Sequence, residues 1–466
     1  MDDNKLAEGS LTIGESIIMG VSGTSPSYSA AATSAALIAA VGVYSPGSVL
    51  ACGIIMLGIT FSFMYLNRLS QNAGASYVWV RMVFNQTLGF MAGWSLLVAT
   101  ALFMVSGTIP AAAATLALIK PSFVDDTFWV TFIAGCWLTF VSVIILKGIR
   151  QTSIAQVIFT VLEVGIMVII MVLALIAFIK QPVRSIDLNM FNPFKMTFDV
   201  FVKGALISLF FFWGWDVTMN LNEETKDAHS IPGRAAFWSM ILNIALFATF
   251  ILCTLIALTD QEIQAANTNV LLKISEKILP QPWGALALIS IIMSTVGTIE
   301  TSILQFTRTL FSKSRDGVLN KRWSKVHSTW RTPWTATLLV WALGILFLFI
   351  ASQKPTVRAI IDTSIDVISF QVAFYYSLCA FACAWHYRNV INESFSKAML
   401  LIVWPLVSAI TLIFMAVYSA LFSFDAQTVA IGLGGILIGI VPMIWNRRRA
   451  RVESPSPTIS AIDPVS

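Results

Sequence analysis

Charge is scarce in this sequence. Asp, Glu, Lys and Arg together make up 11% of its 466 residues, against roughly 25% in a soluble domain. Histidine is scarcer still, and its three copies (His229, His327 and His386) fall in or beside loops, which argues against a buried histidine relay. The five cysteines, Cys52, Cys136, Cys253, Cys379 and Cys383, all lie within apolar stretches, so a disulfide framework is not expected. Cys379 and Cys383 would share a helix face, yet no His or acidic cluster lies near them in sequence, and packing is the better reading than metal binding. No polar stretch between apolar ones is long enough for a soluble catalytic domain. There is no Ser/His/Asp constellation, no phosphate-cradling loop and no basic nucleic-acid patch. We therefore expect no enzyme, no cofactor, no metal site and no nucleic-acid partner.

What the chain has in quantity is hydrocarbon. It is 57% hydrophobic, with a mean hydropathy of +0.80. Runs of about twenty apolar residues, the length that crosses a bilayer, recur at 14–39, 47–67, 87–115, 127–146, 151–179, 200–222, 234–259, 283–311, 334–351, 359–386, 398–421 and 427–446. The pattern predicts an all-α membrane protein with twelve transmembrane helices and the lipid bilayer as its solvent. Twelve is even, so both termini share a face. Most of the 29 basic residues also lie on that face, among them Arg68, Arg81, Lys147, Arg150, Lys313, Arg315 and the Arg447–Arg451 cluster. The positive-inside rule makes it cytoplasmic. The expected organisation is a cytoplasmic segment 1–13, a transporter-sized membrane domain 14–446 and a Ser/Pro-rich, disordered cytoplasmic tail 447–466. Residues 1–13 lack a basic n-region and a cleavage site, so the first span itself would direct the chain to a cytoplasmic (inner) membrane. Oligomeric state is not legible.

Two spans are interrupted. The first contains Gly20-Val21-Ser22-Gly23-Thr24-Ser25-Pro26, and the sixth contains Trp213-Gly214-Trp215-Asp216. Unpaired backbone groups are costly in lipid, so broken helices persist there only around a protein-enclosed cavity. A pair of breaks in corresponding spans is a sequence pointer to a transporter's binding site. Pro26 suits the first position of a new half-helix, with Ser25 as its N-cap. The amides around Thr24, Ser25, Ser27 and Tyr28 would then attract an anion such as a carboxylate. The bland alternative is a proline kink. At the second break, carbonyls near Phe210 and Trp213 would suit an ammonium group, and Asp216 places a charge in an apolar span. Glu163 in the fifth span and Glu300 in the eighth have no basic neighbour on their own helices. Each is a candidate to carry a proton or sodium ion, or to be a protonated structural acid. Asp362 and Asp366 lie a turn apart in the tenth span, with Asp362 nearer the outer surface.

Three stretches resemble the amino acid–polyamine–organocation (APC) superfamily of permeases. The first is Asn72-Ala-Gly-Ala-Ser-Tyr-Val-Trp-Val-Arg81 running to Gly89-Phe-Met-Ala-Gly-Trp94. The second is Gly214-Trp215-Asp216 with Glu223-Glu-Thr-Lys-Asp227 and Ile231-Pro232. The third is Arg308-Thr-Leu-Phe-Ser-Lys-Ser-Arg-Asp-Gly317, then Lys325-Val326-His327 and Arg331-Thr332-Pro333. The resemblance implies an inverted repeat of five plus five helices with unwound first and sixth members, two further helices, and alternating access around a midplane site. It implies a substrate carboxylate held at Thr24, Ser25 and Pro26 and an amine held by carbonyls of Phe210 and Trp213, with Ser22, Gly23 and Gly214 also among the substrate-binding residues. It also implies Phe210 as an aromatic gate and side-chain recognition at Asp216 and Ser302. Thr24-Ser25-Pro26 stands where many members carry Gly-Ser-Gly. Proline has no amide hydrogen, so one carboxylate donor is missing. Pro26, with Asp216 and the Asn220-Leu221 run into Glu223-Glu224-Thr225, is similar to the polyamine-importing branch. Glu163 stands roughly where some proton-driven members carry a sodium-mimicking lysine. The implied function is a secondary permease for an amino acid coupled to a cation gradient, by symport or antiport, or else a polyamine carrier on the same scaffold.

Overall fold

The computed structural model describes residues 5–266, 268–353 and 356–445; the side chains of Phe210 and of residues 358–363 are also outside the description. The Arg447–Arg451 cluster and the Ser/Pro-rich tail fall beyond these residues, as does the side chain of Asp362.

All regular structure among the described residues is helical. The chain begins with α1 (Ile13–Gly23), opened by a capping box in which Thr12 and Glu15 satisfy each other's backbone amides. It breaks and resumes as α2 (Pro26–Val41), followed by α3 (Ser45–Leu69), the short α4 (Ser76–Val83), α5 (Gln86–Ser106) and α6 (Thr108–Ile119). Next come α7 (Thr127–Leu146), capped by Asp126, and the long α8 (Ile149–Phe178), entered through Gly148 at φ 113°. The sixth expected span is split into α9 (Phe198–Phe210) and the four-residue α10 (Val217–Asn220). Then follow α11 (Ile231–Ala257), the small α12 (Asp260–Ala266) and α13 (Val270–Ile278), and α14 (Leu286–Arg315). The chain closes with α15 (Trp334–Ala351), α16 (Val357–His386), α17 (Phe395–Ala398), α18 (Trp404–Phe422) and α19 (Ala426–Leu437).

By length and composition, ten segments among the described residues are able to cross a membrane. The difference from the expected twelve has a local cause. The first two expected spans fall within one continuous apolar run, Ile13–Leu69, and the sixth is cut by its break into pieces too short to qualify alone.

Burial divides the helices into two populations. α5, α14 and α16 are mostly enclosed, whereas α7, α8, α15, α18 and the segment Ala426–Trp445 show much of their surface to the outside. Ile154, Ile158, Val161, Ile169 and Ile176 stand out along α8, and Val407, Ile410, Val417 and Leu421 along α18. Exposed aliphatics of this density are what hydrocarbon solvates. Small residues let the enclosed helices approach closely. A Cβ on Gly20 would lie 2.5 Å from the Ser239 hydroxyl on α11, and one on Gly58 2.3 Å from Ser408 on α18.

The face carrying the N-terminus, here the terminal face, is closed. Residues 10–11 run beside the exit of the second break: the Ser10 and Leu11 amides donate to the Glu224 carbonyl (2.8 and 3.0 Å), and the Lys226 amide donates to Leu11 (2.9 Å). Beneath them Arg308 makes two hydrogen bonds to the Glu224 carboxylate (2.8 and 2.9 Å), with both side chains fully buried. Arg315 does the same to Glu223 at 2.7 and 2.9 Å. Asn220 and Asn222 bind the α3–α4 loop at Ala73 and Asn72. The opposite face holds a cavity of about 490 Å³ between α2, α9, α16 and α18. The molecule is thus open toward one face and latched at the other.

Candidate substrate site

The two breaks meet. α1 ends at Gly23, Thr24 closes its last turn, and Ser25 takes the left-handed conformation (φ 52°) before Pro26 opens α2. α9 ends at Phe210, and the backbone turns through Gly214 at φ 108° into α10. A Cβ built on Gly23 would stand 2.2 Å from the Gly214 carbonyl oxygen, and one on Gly214 2.0 Å from that of Gly23. Only glycine fits either position, because the two unwound backbones touch.

Beside this crossing lies a small cavity of about 10 Å³, room for roughly one water molecule. Gly23, Thr24, Ser25, Tyr28, Ser29, Phe103, Trp213 and Thr298 line it. Tyr28 and Trp213 also border the large cavity, so they form the partition between the two. The vestibule side is mainly aliphatic (Ala32, Ala36, Met56, Leu206, Ile207, Met415), with Lys203 and Asp366 as its charged groups. Lys203 is paired to Asp199 at 2.9 Å.

The first break spends most of its polar groups locally. The amides of Thr24 and Ser25 donate to Val21 and Ser22, and that of Tyr28 donates to the Ser294 hydroxyl on α14 at 3.3 Å. Ser25 occupies the N-cap position, but its hydroxyl does not cap α2. It lies 3.1 Å from the Ser294 hydroxyl instead. The left-handed backbone turns the side chain away from the first turn, leaving the Ser27 amide without an intrahelical partner by position. Ser22 lies below the cavity, its carbonyl accepting from Thr298 Oγ1 at 2.6 Å. At the second break no described amide donates to the carbonyl of Trp213. The Phe210 side chain, the expected gate, lies outside the described residues.

Asp216 is 1% exposed and does not line the cavity. Its carboxylate accepts from the Tyr375 hydroxyl (3.0 Å) and the Tyr376 hydroxyl (2.9 Å), both on α16. Tyr375 in turn accepts from the Trp213 indole N–H at 3.0 Å. The acid is therefore linked to the cavity wall through Tyr375 and Trp213. Ser302 is buried on α14, one turn beyond Thr298, and it is Thr298 that lines the cavity.

Glu163 and Glu300 are both fully buried. Neither Glu163 carboxyl oxygen makes a hydrogen bond of good geometry, although the Ser294 hydroxyl lies alongside. The Glu163 carbonyl accepts from Ser290 (2.8 Å) and Ser27 (3.3 Å). Glu300 faces the Gln156 amide, and its second oxygen has no partner.

Sequence reasoning placed the two breaks but missed Phe103, Ser29, Thr298, Tyr375 and Tyr376. The adjacent tyrosines had a weak signal: two of only eight in the chain stand together in an apolar span.

Paired breaks within a helical membrane bundle are a pointer to a carrier's binding site. The chain belongs to the amino acid permease family, whose model matches residues 11–452. It is 26% identical to the low-affinity putrescine importer PlaP of Escherichia coli over 311 residues, covering 63% of this chain and 64% of the importer. The chain thus spans a little under two thirds of that relative's length. It is 22% identical to the serine/threonine exchanger SteT of Bacillus subtilis over 415 residues, 86% of this chain and 88% of the exchanger. A branched-chain amino acid permease of Lactococcus lactis matches at 24% over 321 residues, 62% of this chain and 66% of that permease. The family and these relatives are transporters, not enzymes.

Proposed function

We propose that this protein is a secondary permease that carries an amino acid across the cytoplasmic membrane by alternating access, coupled to a cation gradient. The observation that carries the reading is the Gly23–Gly214 crossing, with the start of α2, where the Ser27 amide has no intrahelical partner by position, on one side and the carbonyl end of α9 near Phe210 and Trp213 on the other. A zwitterion has a carboxylate for the first and an ammonium for the second. The family match and the exchanger SteT, which spans most of the chain, support an amino acid as substrate.

A second reading, polyamine or other organic-cation transport, is favoured by Pro26, which removes an amide from the anion side, and by the putrescine importer among the relatives. Asp216 is the acid such a substrate would want. Its oxygens are engaged by two tyrosine hydroxyls and it stands off the cavity, which favours the amino acid.

The coupling cation binds at Glu163. An ionised carboxyl without a partner costs several kcal/mol in such an interior, and a proton or sodium ion removes that cost. Ser25 and Ser294 join Glu163 to the cavity wall, so occupation of one site affects the other. The test is uptake of labelled amino acids and labelled putrescine into proteoliposomes under imposed pH and sodium gradients. Gradient-driven accumulation of an amino acid is expected. Glu163→Gln should remove the pH or sodium dependence and keep exchange. Accumulation of putrescine alone would overturn the amino acid assignment, and a wild-type gradient response in Glu163→Gln would overturn the coupling assignment.

A further inference from the structure

Two polar stripes face each other across the first helix. On α8, Ser153, Gln156, Thr160 and Glu163 follow one another at helical spacing, and all are buried. On α14, Ser290, Ser294, Gly297 and Glu300 do the same. Between them α1 contributes Glu15 and Ser22. The contacts fall into three groups along this line. Glu15 accepts from Ser153 (3.1 Å) and from Arg150 (2.9 Å), whose side chain is 62% exposed at the terminal face. One turn deeper sits Gln156. Of its two amide orientations, one satisfies every neighbour: the NH₂ donates to Glu300 Oε1 (3.0 Å) and to the Gly297 carbonyl (3.2 Å), while the oxygen accepts from Thr160 (3.3 Å) and Ser22. Another turn deeper Glu163 lies beside Ser294, which reaches Ser25 on the cavity wall.

The seam is kept clear by a glycine. A Cβ on Gly297 would lie 2.5 Å from the Ser22 hydroxyl and 2.7 Å from the Gln156 amide. Thr152 and Thr295 bond back to carbonyls one turn earlier; apart from these and the two stripes, α8 beyond Gln151 and the outer part of α14 are apolar, so packing does not explain the hydroxyl, amide and carboxyl groups aligned here. Buried ionisable chains inside a bundle mark ion and proton paths.

We propose that this seam is the path by which the coupling proton leaves for the terminal face, with Glu300 as its second resting place. The proposal rests on proton coupling at Glu163. In the transfer, Glu163 becomes a carboxylate as Glu300 becomes a carboxylic acid, and Glu300 returns to carboxylate when the proton passes Glu15. One proton moves and no other group changes. The titratable groups on elements packed against α14 are Glu15 on α1, Tyr28 on α2, Cys136 on α7, Arg150 and Glu163 on α8 and Asp216 at the start of α10, with Glu223 and Glu224 after α10 paired to Arg315 and Arg308 of α14 itself. Lys273, Glu276 and Lys277 on α13 and Lys321 and Arg322 after α14 lie toward its ends. None of these forms an ion pair with Glu300 among the described residues.

The test uses the full chain in proteoliposomes with a pH-sensitive dye inside and an equimolar mixture of the twenty common amino acids outside. Wild type should acidify the lumen as substrate enters. Glu300→Gln should cut that acidification by about a hundredfold while counterflow of labelled amino acid persists, and Glu300→Asp should restore it. Glu15→Gln, at the exposed end and away from the substrate cavity, should slow acidification with counterflow retained. Wild-type acidification in Glu300→Gln would overturn the seam and leave the Glu163 reading standing. If Glu300→Gln loses counterflow as well, normal acidification in Glu15→Gln overturns the seam. No acidification in wild type would overturn proton coupling itself.

Discussion

Gly23 and Gly214 have no room for a side chain, because each carbonyl occupies the place of the other's Cβ. Gly214 carries the further constraint of φ 108°. Gly214→Ala should therefore abolish uptake and cost about 1–3 kcal/mol of stability, read as a lowered melting temperature in detergent. Gly165, with open space around it, is the control and should tolerate Ala at both readouts. Asp216 is held differently, by donors on α16. Asp216→Asn would turn an amide toward one tyrosine hydroxyl that can no longer donate, at a cost of about 1–3 kcal/mol. We expect a lower melting temperature with a raised KM, since Trp213 loses its support through Tyr375. Tyr375→Phe should reproduce the KM change; a normal KM in Tyr375→Phe would show that Asp216 acts directly. The breaks were legible because Gly214 and Pro26 are local signals. The role of Asp216 was not, since its partner Tyr375 lies 159 positions away and no periodicity links them.

Under alternating access the half-helices would have to be held and released, and in this conformation the latch on the terminal face holds the exit of the second break. Glu224 lies just past α10, the short helix that follows the second break, and Arg308 comes from α14. Removing one partner leaves a buried charge unpaired, which costs about 3–5 kcal/mol, while replacing both by apolar residues is far milder. Glu224→Gln should weaken the closed terminal face, seen as faster labelling there of a cysteine introduced at Ser10. The double change Glu224→Leu with Arg308→Met should restore protection toward wild type; equal exposure in both would remove the pair from the latch. At this scale the sequence marked Glu163 and Glu300 as solitary acids in apolar spans. It hid their surroundings, because the stripes containing Ser153 and Ser294 read as ordinary small residues until α1 is placed between α8 and α14.

Across the whole molecule, hydropathy located the membrane bundle, and the broken sixth helix accounts for its one missing long span. The vestibule was not legible, since its walls come from α2, α9, α16 and α18, far apart in the chain. It opens on the face opposite the N-terminal segment. A membrane-impermeant thiol reagent should modify Ala36→Cys in a background with Cys136 replaced, from the outside of intact cells, and a transported amino acid should slow the reaction. Labelling only after permeabilisation would reverse the assigned orientation. The proposed site has an anion side on the first helix and a cation side on the sixth. Competition in counterflow tests it most directly, with a transported amino acid set against its methyl ester, its deaminated acid and putrescine. Strong competition by the intact zwitterion and little by analogues missing either charge is expected; competition by putrescine and the ester, with none from the amino acid, would overturn this two-sided site.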